Sequence, residues 1–173
     1  MHSKTNVTVA GGICGLLSVA SYLVIAFLDL SNSLTFLLAM LFPIFGIIFI
    51  YSLKEYIAAV NNSHINALSF TFGSLGFTLC AILLSAQLAV QIGIDVKTAG
   101  ADAAMLKTIK ESVRMVDMGI DVAWDMFIST YMILFLFATV KIPSLKWWGI
   151  VSGVLGLLLM VFNVLTFPNP PAD

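Results

Sequence analysis

The chain has 173 residues, of which 60% are hydrophobic and 10% charged, with a net charge of −1 and a mean hydropathy of +1.05. Such a composition excludes an ordinary soluble domain and leaves an integral membrane protein. Nearly the whole chain is taken up by apolar runs. Residues 1–173 therefore read as a single polytopic membrane domain, and any site must lie among the helices or in the longest connection.

The first run, about Val7–Leu30, is long enough to cross a hydrocarbon core of roughly 30 Å. It is too long for the apolar part of a signal peptide, so it is expected to stay as a helix. Steps of three and four residues place Gly11, Gly15, Ser18, Tyr22 and Asp29 on one face, small at the start and polar at the end. The second run, about Leu34–Leu53, carries Pro43 near its middle and Gly46 one turn on, where a bend is expected. The third, about Ala67–Ile92, repeats the gradient of the first with Gly73, Gly76, Cys80, Gln87 and Gln91.

The connection Gly93–Val116 is the longest. Met105, Leu106, Ile109, Val113 and Val116 recur at helical spacing opposite Lys107, Lys110, Glu111 and Arg114, so an amphipathic helix is expected, with Asp102 as its cap. It either lies flat on the membrane surface or runs straight into the fourth span. No proline or glycine interrupts Ala101–Met118, which favours the continuous helix.

The fourth run, about Asp117–Val140, opens on Asp117, Asp121 and Asp125 at four-residue steps, with Trp124 beside them. Were the span to begin after Asp125, about 15 residues or roughly 22 Å would remain before Lys141, too short to cross. Asp125 and Asp121 must lie at or inside the boundary, where a carboxylate faces other helices or water rather than lipid. Arg114 is placed to pair with Asp117. The fifth run, about Trp147–Phe167, has Gly149, Ser152, Gly156 and Asn163 on one face, with Trp147 and Trp148 as an interfacial anchor.

The expected fold is thus all-α: five transmembrane helices in a bundle, with the amphipathic helix preceding or continuous with the fourth. Small-residue stripes such as Gly11/Gly15 and Gly149/Gly153 serve close helix approach in lipid. They imply a bundle pinched at one end and widened at the other. Asp29, Gln87, Gln91, Asp121, Asp125 and Asn163 then share one leaflet, and with Asp117 and Trp124 we expect them to form an outward-facing acidic pocket for a cation or a small polar or amphipathic ligand. Transport, channel and sensor roles all fit that pocket. The alternative is a structural or assembly subunit of a larger membrane complex.

An enzyme is disfavoured. The sequence holds no Gly-x-Gly-Asp, H-E-x-x-H or G-x-S-x-G motif and no phosphate-cradling loop, and no catalytic residue is assigned. No cofactor is indicated. Cys14, Cys80, His2 and His64 have no ligand-like spacing, and the sequence names no metal. Membrane lipid is the expected partner, with a homo-oligomer or larger complex left open and no nucleic acid expected. The expected location is a bacterial inner (plasma) membrane.

Lys4, Lys54, Lys141 and Lys146 fall at one end of the five spans, while the first connection, Leu30–Ser33, and the tail from Pro168 carry no lysine or arginine. This bias puts the N-terminus in the cytoplasm and the C-terminus outside. With Cys14 and Cys80 replaced by alanine, Ser33→Cys should react with an impermeant thiol reagent from outside and Asn62→Cys only after permeabilisation; the opposite pattern would invert the topology.

Overall fold

A computed structural model describes residues 2–97 and 103–167, which form five helices: α1 (His2–Phe27), α2 (Asn32–Ala58), α3 (His64–Lys97), α4 (Ala103–Thr139) and α5 (Lys146–Thr166). All five contain a segment long and apolar enough to span a bilayer, and no strand occurs among the described residues. The protein is an all-α polytopic membrane protein. Its outward surface is that of a membrane-embedded bundle, with Leu16, Phe27, Val154, Leu155, Val164 and Leu165 among many exposed apolar side chains.

The amphipathic segment is the first part of α4, which runs unbroken into the fourth span. At 37 residues α4 extends roughly 55 Å, and α3 at 34 residues roughly 51 Å, so both outreach a hydrocarbon core of about 30 Å. Asp102 lies outside the described residues, as does the tail from Pro168. The helix α2 continues through Pro43, whose side chain is fully buried against its neighbours.

The helices pack in chain order, α1 on α2, α2 on α3, α3 on α4 and α4 on α5. Glycine sits in each of these seams. A Cβ at Gly11 or Gly15 would run into Ser52 or Phe49 of α2, and one at Gly46 into Phe77 of α3. Gly73 and Gly76 of α3 lie against Tyr131 and Ile128 of α4, while Gly149, Gly153 and Gly156 of α5 lie against Thr139, Leu136 and Met132. Lipid tails are as apolar as leucine, so helices associate through close van der Waals contact, which these glycines permit.

Two of the contacts share a further device. Ser52 faces Gly11 and donates its hydroxyl to Ile48 O on its own helix at 3.0 Å; Thr139 faces Gly149 and donates to Phe135 O at 2.6 Å. Each hydroxyl is satisfied before the neighbouring backbone arrives, so close approach orphans no polar group.

The lysine-bearing end is tied by side-chain amides. Ser63 Oγ accepts from the Asn66 backbone N–H and caps α3, Asn66 Nδ2 donates to Lys54 O at 3.0 Å, and Asn61 Nδ2 donates to Ala138 O at 3.2 Å. The last of these satisfies a carbonyl in the final turn of α4 that has no partner within its helix. Ile57, Phe135, Ala138 and Ile142 form the buried cluster beneath.

Gly12 and Gly119, by contrast, have open space at the Cβ position. Gly15→Leu and Gly153→Leu should each lower stability in detergent by about 1–3 kcal/mol through overpacking, with Gly119→Leu close to neutral. Equal tolerance at all three positions would mean that these glycines do not hold the seams.

Candidate functional site

Successive i, i+4 steps advance 400° around a helix, so a ladder of aspartates drifts about 40° per member. On α4 that drift carries the carboxylates from one neighbour to the next. Asp121 comes within electrostatic reach of Cys80 on α3. Asp125 reaches α5, where Asn163 Nδ2 donates to its Oδ2 at 3.0 Å. The same amide nitrogen donates to Leu159 O at 3.0 Å, and Asn163 is only 1% exposed. Asn163 Oδ1 is buried with no hydrogen-bond partner, as is Ser129 Oγ, one turn beyond Asp125 on α4.

Of the eight residues that the sequence groups together, Asp125 and Asn163 are joined by a hydrogen bond across the α4–α5 seam, and Asp121 lies one turn away on α4, within electrostatic reach of Cys80. Asp117 is half-buried one turn further out. Its expected pair with Arg114 is absent among the described residues, where the ion pairs are Lys54–Glu55 at 3.2 Å and Lys107–Glu111 at 3.9 Å. Asp29 is exposed beyond the end of α1, and Gln87 is exposed on α3. The side chain of Gln91 lies outside the described residues. Among the described residues no group of three or more His, Cys, Asp or Glu side chains converges as a metal site would require.

The eighth residue, Trp124, has a different setting. It forms part of the wall of a partly open cavity of about 440 Å³ bordered by four helices: Gly12, Gly15 and Ser18 of α1, Phe42, Gly46 and Phe49 of α2, Phe77 of α3, and Trp124 and Ile128 of α4. The walls are apolar. Ser18 is already satisfied, donating to Phe42 O at 2.8 Å, whereas Trp124 Nε1 is buried with no partner. A buried indole N–H normally finds an acceptor, so this one is an unfilled donor beside an apolar cavity. On the lipid side the cavity is bounded by Leu16 and Val19, both exposed.

Sequence reading did not find most of this cavity. Gly12 was its one available signal, because a glycine directly after Gly11 puts a missing side chain on a second helical face. Phe42, Phe49 and Phe77 look like ordinary core residues.

Compared with known proteins, the chain matches no family model, no curated protein and no solved structure.

The Asp125–Asn163 bond links α4 to α5 away from water. A double-mutant cycle with Asp125→Ala and Asn163→Ala should give a coupling of about 1–2 kcal/mol, at the upper end of intramembrane hydrogen bonds because one partner is a carboxyl group. Additive losses would mean that the bond contributes nothing to the seam.

Proposed function

We propose that the protein binds a small amphipathic ligand taken from within the bilayer, as a sensor, carrier or transport component rather than as an enzyme. The observation that carries this reading is the cavity among α1–α4 with an unpartnered indole donor in its wall. A body of small apolar volume would lie over Gly12, Gly15 and Phe49 and against the Trp124 ring, whose buried Nε1 would meet a hydrogen-bond acceptor once the indole turns toward it. Pockets of roughly 300–1,000 Å³ with apolar walls and one or two placed polar groups are the usual form of small-molecule sites.

A cation held by the acidic ladder is less well supported, because no group of three or more His, Cys, Asp or Glu side chains converges among the described residues. Their role in this proposal is to fix α4 against α3 and α5, and with it the position of Trp124. The orientation we propose follows the lysine bias, with the N-terminus cytoplasmic. An assembly subunit remains the second reading, favoured by the open space at Gly12, where a partner's helix could pack as closely as α2 packs on Gly11.

The chain has three tryptophans, so Trp147→Phe with Trp148→Phe leaves Trp124 as its single indole fluorophore. Purification from native membranes in mild detergent, followed by mass spectrometry, should yield a co-purifying amphipath whose removal shifts Trp124 emission. Trp124→Phe removes one hydrogen bond of about 1–1.5 kcal/mol and should weaken retention roughly five- to twelvefold. A partner protein in place of a small molecule, with Trp124 emission unchanged on its removal, would favour the assembly subunit instead.

A further inference from the structure

We propose that the lysine-bearing end of the bundle holds one acyl chain of an anionic phospholipid, with the phosphate at the α4–α5 turn. A second cavity of about 240 Å³ lies there between Gly11 and Gly12 of α1, Phe49 and Leu53 of α2, and Leu145 of the turn. No charged side chain lines it, so its interior suits hydrocarbon.

Gly12 and Phe49 line both this narrow apolar passage and the central cavity, so the two adjoin there, while Trp124 borders the central cavity alone.

The mouth supplies the charge. Tyr56 and Ser144 line it with hydroxyls, and Lys141 and Lys146 stand on the same turn as Ser144. Both lysines are exposed, and neither belongs to an ion pair among the described residues. Glu55 is the one acidic residue that the sequence puts at this end, and it is paired with Lys54. Lys146 Nζ lies 5.8 Å from the Trp147 ring, and both Trp147 and Trp148 are 71% exposed, as residues at the headgroup level are. An apolar groove beside lysines that form no ion pair among the described residues is complementary to a lipid chain with an anionic head.

The test reconstitutes the full chain into vesicles of equimolar phosphatidylglycerol and phosphatidylcholine and counts retained lipid by native mass spectrometry. Two lysines near an anionic head are worth roughly a thirtyfold preference for phosphatidylglycerol. Lys141→Gln with Lys146→Gln should bring that preference close to parity. Gly12→Leu puts a side chain into the passage where nothing stands within 4 Å. It should lower retention of both lipids roughly tenfold, the worth of about two buried methylenes, and Leu145→Trp on the opposite wall should do the same if Gly12→Leu does not fold.

Trp124→Phe should leave lipid retention unchanged, which separates this site from the ligand proposed above. Equal retention of the two lipids by the wild type would overturn the proposal. So would undiminished retention in both blocking variants, or full displacement by glycerol 3-phosphate, which has the head without the chain.

Discussion

The close seating of glycine backbones against side chains of the next helix is the contact on which the rest of the bundle depends. In water an amphipathic helix is driven onto its neighbour by the removal of apolar surface; in lipid that drive vanishes, and only contact distance and hydrogen bonding distinguish a packed helix from a solvated one. Eight glycines spread along four seams therefore act as a register code. Gly11 and Gly15 fix α1 on α2, Gly46 fixes α2 on α3, Gly73 and Gly76 fix α3 on α4, and Gly149, Gly153 and Gly156 fix α5 on α4. Because α4 receives glycine faces from both α3 and α5, its own side chains are the large ones, Ile128, Tyr131, Met132 and Leu136, and it becomes the knob-bearing member of both seams.

That arrangement decides what the acids on α4 can do. With bulky residues filling both seams in the C-terminal half of α4, polar groups have room nearer its middle, where Asp121 and Asp125 sit and Asp125 meets α5. Asn163 answers Asp125 with an amide hydrogen while also returning to the carbonyl one turn earlier on its own helix, so a single buried side chain serves two acceptors. An interhelical bond of this kind holds register as well as position, because sliding α5 by one residue would remove the donor from the acid.

Helical periodicity made the seams legible and left the cavity hidden. The stripes Gly11/Gly15, Gly73/Gly76 and Gly149/Gly153/Gly156 were readable because close approach in lipid has few other solutions, and the continuous α4 was readable because nothing between Ala101 and Met118 breaks a helix. The shared polar pocket was extrapolated from the same periodicity, which fixes the face of a residue but neither the end of its helix nor what stands opposite. Asp29 falls beyond Phe27, where α1 has already ended, and Gln87 sits on an α3 that packs mainly on α2 and α4, and both are exposed. The cavity depends on an absence of packing between elements distant in sequence, for which no local pattern exists.

Packing in chain order also explains why the cavity is where it is. A row of five helices gives α2, α3 and α4 two neighbours each but leaves α1 with α2 as its main partner. The side of α1 that turns toward α4 and the α4–α5 turn meets them across open space, and it carries Gly12, Gly15 and Ser18, residues too small to fill that space from their own side. Phe42, Phe49 and Phe77 line it from α2 and α3 without closing it. An apolar gap of this size forfeits dispersion contacts, which a lipid chain or an apolar ligand would restore. The glycine doublet at Gly11 and Gly12 thus serves two surroundings at once, with Gly11 seating α1 against Ser52 of α2 and Gly12 facing the open apolar space beside it.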